Sequence, residues 1–262
     1  MSSLDDDLAP EFEPITYAAG SLSVDQPIVL HDVAVRALRL RQVNAKEAFT
    51  LRDASGAYFR AALHSIGDDE AEALVYEKMP VAPESPVRIT LVCAVLARQR
   101  MLVVMQKATE LGVACIVPAI SERSVQRDGL AHEKAHAWPG QVVRAVRQCR
   151  RGSVPLVTRA EPLEAVLASK PWRGASERFY LDDRAAKNSG RVSLPAKREP
   201  GAALDVAVAI GPEGGFTDFE RRLLADEGGT PLALGGRVLR AETAVFVGLT
   251  LLQHRLGDLA LD

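Results

Sequence analysis

The chain has 262 residues, of which 47% are hydrophobic and 25% charged, and its formal net charge is -2. That supplies enough apolar material for one large or two modest cored domains, and too little net charge to draw nucleic acid or membrane to the molecule as a whole. Cys93, Cys115 and Cys149 are odd in number, far apart and in no C-x-x-C pair, which argues against a disulfide framework and a zinc ribbon and fits a reducing cytoplasm.

In chain order, MSSLDDDLAPEFEP is acidic where a signal peptide would be basic, and residues 1–13 read as a frayed tail. Residues 14–80 read as a small β-rich domain: EAFTLRD, AYFRAALHSI and EALVYEK are short and turn-punctuated, with one helical piece near HDVAVRALRLR. Three prolines in MPVAPESP, Met79 to Pro86, mark the boundary. From residue 86 to 262 the pattern changes. RITLVCAVL is a predicted strand, MLVVMQKATEL a helix, ACIVPAI a strand, and a long helix is expected from about Ala131 to Arg150. SVPLV, RFYLD, DVAVAI and PLAL then alternate with further helical segments, the signature of an α/β domain with a mostly parallel sheet. No stretch approaches the length of a membrane span.

Three features carry chemistry. HEKAH, His132 to His136, matches H-E-x-x-H, which on a helix would set two imidazoles on one face for zinc with Glu133 as base; Pro139 follows at once and the flanks are polar, so a solvated helix start is the better reading. Arginines cluster in RAVRQCRRGSVPLVTR, where Arg144, Arg147 and Arg151 would share one helical face with Arg150 to the side; Arg36, Arg39 and Arg41 form a second basic group. Two basic groups in separate domains suggest phosphate contacts with a nucleic acid, although each is also what an ordinary solvated face looks like. The third feature is a pair of glycine elbows. IGPEGGFTDFE turns from the strand LDVAVAI into a helix whose Thr217 and Glu220 have capping-box spacing, and LGGRVLRAETA leads from PLAL into a helix apolar nearly all round. Neither is G-x-G-x-x-G or a P-loop, so neither dinucleotide nor nucleoside triphosphate binding is indicated, and a ligand without phosphates remains open at the carboxyl ends of these strands.

Together the elbows closely resemble the C-terminal signature of the bacterial 16S ribosomal RNA uracil N3-methyltransferases, a SPOUT-class family that uses S-adenosylmethionine. QKATELGVACIVPAISERSVQR is similar to that family's first methyltransferase-domain motif, RQCRRGSVP to its glutamine-containing helix end, and HDVAVRALRLR to the start of its small N-terminal domain. The resemblance implies a PUA-like β-barrel followed by a SPOUT-like parallel sheet with a C-terminal trefoil knot. It also implies a homodimer across the last helix, and 16S ribosomal RNA or the assembled small ribosomal subunit as partner, with neither metal nor membrane involved.

By the same carry-over the cofactor pocket would be lined by Leu181, Ile210, Gly211, Glu213, Gly214, Gly215, Leu234, Gly235, Val238, Leu239, Arg240 and Thr243. Arg123, Arg237 and Arg240 are the cationic catalytic candidates and Glu213 the proton-handling one, while Arg36, Arg39, Arg41, Arg144, Arg147, Arg150 and Arg151 would grip RNA. The chain departs from the family pattern at Leu102, where many relatives are acidic, at Arg147, where they have Glu, at Arg150, where they have Gly, and in LGGR for LG-Pro-Arg. A catalytically silent RNA-binding module and a zinc hydrolase built on HEKAH are the competing readings.

Overall fold

The computed structural model describes residues 10–184, 204–235 and 237–259. Two compact units emerge, one of Asp7–Glu84 with Val142–Pro155, the other of Ser85–Gln141 and the chain from Leu156 onward.

The first unit holds β1 (Ile15–Tyr17), β2 (Pro27–His31), β3 (Ala48–Asp53), β4 (Tyr58–Ile66) and β5 (Glu70–Lys78) in one sheet of order β1-β3-β4-β5-β2. β1 lies parallel to β3 and the other pairs are antiparallel. Along β5 the pleat turns Ala71, Ala73 and Val75 inward and Glu70, Glu72 and Leu74 outward, as a period of two requires. The helix Val33–Leu40 closes the core with Val35, Ala37 and Leu38 against Leu51, Phe59 and Leu63. Asp53 builds the β3–β4 turn: its Oδ1 accepts from Ser55 N, Ser55 Oγ and Ala57 N at 2.9, 2.6 and 3.0 Å, and Oδ2 accepts from Leu22 N at 3.0 Å. Burial works against this charge, yet the hydrogen bonds outweigh it and hold the carboxyl below the usual aspartate range.

Two expectations change in this unit. Residues 11–13 are not loose: the turn Pro10–Phe12 is fastened by Val154 N to Phe12 O at 2.8 Å, and Glu11 pairs with Arg36 at 2.6 Å. Residues 1–9 lie outside the described residues. Arg41, expected among the RNA-gripping arginines, is turned into the protein instead. It is buried, and its guanidinium donates to the carbonyls of Glu11, Glu13, Ala37 and Gly152 at 2.7 to 3.0 Å. Desolvation lowers it to about 10, which leaves it charged at neutral pH.

The second unit is built on β6 (Val87–Ala94), β7 (Val113–Ile120), β8 (Leu156–Val157), β9 (Glu161–Pro162), β10 (Glu177–Leu181), β11 (Leu204–Ile210) and β12 (Thr230–Leu232). Their order is β12-β10-β11-β6-β7-β8, with β9 also on β7, and every pair is parallel. The central strands β6 and β11 are apolar on both faces, as strands covered on two sides must be. Helices Arg98–Glu110 and Ala241–Leu256 pack together, and the last helix buries Val245, Gly248, Leu249, Leu252 and Gln253. Gln253 is fully buried; its amide donates to Leu111 O at 2.8 Å and accepts from Ser85 Oγ at 2.8 Å.

The expected long helix is shorter than its sequence suggests. It runs Trp138–Cys149, because Lys134 is left-handed at φ 52° and Pro139 belongs in a first turn, while Arg150 at φ 63° ends it. Among the described residues no helix is long and apolar enough to cross a membrane.

Candidate active site

Both glycine elbows open at the carboxyl edge of the parallel sheet, where β12, β10 and β11 lie side by side. After Ile210 the chain makes a tight turn in which Gly215 N donates to Pro212 O at 2.8 Å and Gly215 takes φ +65°, a conformation glycine adopts without strain. Phe216 then folds back under Gly211, so closely that a Cβ on Gly211 would stand 3.2 Å from the Phe216 ring and backbone nitrogen. Thr217 caps the helix Asp218–Asp226 in a full capping box with Glu220. The second elbow leaves β12, passes Gly235 at φ +102° with open space beside it, and enters the last helix at Ala241. Gly236 lies outside the described residues.

These segments surround one pocket of about 200 Å³. Of the residues expected to line it, Leu181, Ile210, Gly211, Glu213, Gly214, Gly215, Leu234, Gly235, Val238 and Leu239 do so, together with Arg237. Arg240 and Thr243 are not part of the lining. Ala241 and Ala244, three apart on the last helix, take that place, which leaves Thr243 between them exposed. Sequence reasoning missed Asp182, Asp183, Arg184 and Arg221 on the wall. The available signal was the acidic pair directly past the strand RFYL, at the same edge as the elbows.

Asp182, Arg184 and Arg221 join Asp218 in a charged rim. Arg221 Nε lies 3.3 Å from Asp182 Oδ1 with both side chains largely buried, Arg221 Nη1 is 3.1 Å from Asp218, and Arg184 is 2.6 Å from Asp218. The hydrogen bond from Arg184 holds the Asp218 carboxyl below its ordinary value. Of the catalytic candidates, Glu213 is ion-paired with Arg100, and Arg123 donates from Nη1 to Gly214 O at 2.6 Å.

The basic groups divide by burial. Arg144 is exposed on the helix Trp138–Cys149, and with Arg147 and Gln148 it lines a shallow groove beside Glu47. Arg147 pairs with Glu47 at 2.5 Å, and the Glu47 carboxyl is held low first by the Asn44 N–H and then by Arg147. Arg36 pairs with Glu11, Arg39 reaches Gly67 O at 2.7 Å, and Arg150 approaches Glu77 at 3.8 Å. Arg151 cannot share the helical face, since the helix has ended. It is buried, with Nη2 2.8 Å from Glu84 and 3.0 Å from Ser153 Oγ. HEKAH is not helical: Lys134 is left-handed and only Ala135–Ala137 forms a 3-10 turn, so the imidazoles are not stacked one turn apart. Among the described residues no group of three or more His, Cys, Asp or Glu is placed to hold a metal.

A parallel sheet whose strand ends gather glycine elbows, apolar walls and a charged rim has the build of a ligand site, and residues 83–253 match the model of the RNA methyltransferase domain family. The chain belongs to that family. Among its relatives is the ribosomal RNA small subunit methyltransferase E of Buchnera aphidicola, 28% identical over 86% of this chain and 87% of that protein. The enzyme of that name from Aquifex aeolicus is 27% identical over 87% and 94%. Among solved structures, the Neisseria gonorrhoeae ribosomal RNA small subunit methyltransferase E bound to S-adenosyl methionine is 32% identical over 94% of this chain and 99% of that one, with a TM-score of 0.64. Lpg2936 of Legionella pneumophila, solved with bound SAM, is 30% identical with the same coverage and a TM-score of 0.62.

Proposed function

We propose that this protein methylates N3 of one uridine in 16S ribosomal RNA, using S-adenosylmethionine held where the chain leaves β10, β11 and β12. The observation that carries this reading is the convergence of both glycine elbows on one pocket in a chain of the RNA methyltransferase family. S-adenosylmethionine has no phosphate, so its site needs apolar walls and approachable backbone groups rather than an anion nest. Leu181, Ile210, Leu234, Val238 and Leu239 supply the walls, and Gly211, Gly214, Gly215 and Gly235 expose the backbone. The mixed charges of Asp182, Arg184 and Arg221 suit a ligand that carries both an amino and a carboxylate group. When bound, the cofactor supplies a methyl group on a cationic sulfur.

The chain's own residues do the rest. Loss of the N3 proton leaves negative charge on the uracil oxygens, and Arg123, Arg237 and Arg240 are assigned to that charge. Glu213 is assigned the proton once RNA draws Arg100 away from it. Arg36, Arg39, Arg144, Arg147 and Arg150 are assigned to phosphates, with Arg41 and Arg151 withdrawn because both are buried. The finer architecture belongs to the same reading: a PUA-like RNA-binding unit, a trefoil knot through the C-terminal segment, and a homodimer across the partly exposed apolar face of the last helix. Light scattering at micromolar concentration tests the dimer.

Ribosomal RNA from cells lacking the gene should lack one N3-methyluridine, and purified protein with cofactor should restore it, as read by mass spectrometry of digested RNA. A methyl on ribose or on another base refutes the assignment. No heat with S-adenosylmethionine in calorimetry would leave a silent RNA-binding module. Arg144→Ala should lower the log-log salt slope of RNA binding by about 0.7 to 0.9 while cofactor affinity holds.

A further inference from the structure

Glu220 does more than cap its helix. It is 2% exposed, and its Oε2 accepts from Thr217 N at 2.8 Å, which completes the capping box. Its Oε1 is turned the other way and accepts from the backbone N–H of Glu122 at 2.9 Å. Glu122 belongs to a tight turn after β7, in which Ser124 N donates to Ser121 O at 3.2 Å and Ser121 N donates to Ser124 Oγ at 2.9 Å. Thr217 Oγ1 adds a second clasp, donating to the Glu122 carboxylate at 3.1 Å. The next residue along the turn is Arg123, whose guanidinium reaches Gly214 O, and Gly214 lines the pocket. A Cβ on Gly214 would lie 3.0 Å from Arg123 Cδ, so the arginine lies directly against the elbow.

A capping box uses one oxygen and is made with either Glu or Gln. Here both oxygens are used, and only a carboxylate offers two acceptors; glutamine would set its NH₂ against one of the two N–H groups. We propose that Glu220 is a positioning residue for methyl transfer: its second oxygen fixes the turn Ser121–Ser124 so that Arg123 is held at the edge of the cofactor pocket. The inference rests on the methyl-transfer reading of that pocket. Nothing local in the chain announces it, because Glu122 and Glu220 are 98 residues apart.

The test uses the full chain with Glu220→Gln, alone and combined with Arg123→Ala. Hydrogen exchange at the Glu122 amide should quicken by about tenfold or more, the scale of one lost hydrogen bond to a buried charge. The helix should remain capped, cofactor affinity should change less than about threefold, and the single-turnover methylation rate on 16S ribosomal RNA should fall about tenfold, on the same scale. The double variant should be no slower than Arg123→Ala, since both changes remove one positioned group. Unchanged exchange, or rate losses that multiply in the double variant, would overturn the proposal.

Should Glu220→Gln fail to fold, Glu122→Pro removes the same N–H from the other side. Glu122 is the second residue of its turn, a position where proline is favoured and the turn itself does not use the N–H. The same drop in rate with cofactor binding retained is expected, and full activity would overturn the proposal. A wild type inert on 16S ribosomal RNA would overturn the reaction rather than the clasp, which hydrogen exchange reads without substrate.

Discussion

Gly215 is the sharpest place to perturb the elbow, because conformation and space can be separated there. A Cβ on this residue would meet nothing closer than Arg221 Nη2 at 3.6 Å, an ordinary contact, so alanine fits by volume. The obstacle is φ +65°. An L-residue held left-handed costs roughly 1–2 kcal/mol, and the stiffer unfolded chain of an alanine variant returns roughly 0.5–1 kcal/mol. Gly215→Ala should therefore lose about 0.5–1 kcal/mol in urea denaturation. Gly215→Asn should lie near wild type, since Asn tolerates this region, and Gly215→Val should lose more than alanine, since β-branched residues tolerate it least. If the valine side chain can settle only by moving the turn, S-adenosylmethionine affinity measured by calorimetry should drop tenfold or more, about 1.4 kcal/mol. Equal stability of the alanine and asparagine variants would show that φ is not what glycine serves here, and unchanged cofactor affinity in Gly215→Val would remove the elbow from the binding site.

Other consequences are as direct. Asp53 has a folded-state pKa below its unfolded value, so its hydrogen bonds stabilise the N-terminal unit above about pH 4, and that stability is lost as pH falls through the folded value; Asp53→Asn should melt lower at neutral pH and show a shallower acid loss. Arg150 sits at φ 63°, so Arg150→Gly should raise stability by about 0.5–1 kcal/mol in the same urea assay. Burial pushes the thiols of Cys93 and Cys115 up to about 12, partly opposed at Cys115 by Arg88, so of the two partly exposed thiols, Cys115 and Cys149, iodoacetamide at pH 8 should label Cys149 first, as peptide mass spectrometry reads.

Much of the site was legible without coordinates, for a physical reason. The capping box of Thr217 and Glu220, the glycines at strand ends and the alternation along β5 are short-range patterns, set by bonds within a few residues. Hence the strands EAFTLRD, AYFRAALHSI and LDVAVAI and the two elbows follow from local chemistry, while the family and most of the pocket wall came from the resemblance of the elbows. What the sequence could not reveal depends on partners far along the chain. Arg41 and Arg151 look like neighbouring members of basic patches, yet each is buried: Arg41 among carbonyls, one of them 111 residues away, and Arg151 against Glu84, 67 residues away. Helical periodicity carried the predicted helix past both its real ends because left-handed Lys134 and Arg150 are ordinary residues with no glycine to mark the turn. The rim of Asp182, Arg184, Asp218 and Arg221 and the reach of Glu220 to Glu122 exist only because parallel pairing sets β10 beside β11 and β12 and brings the turn after β7 to the capped helix. Local sequence determines which residues can turn, cap or bury; which charges meet is decided when distant strands pair, since a hydrogen bond to a buried charge contributes more than a typical exposed pair of charges.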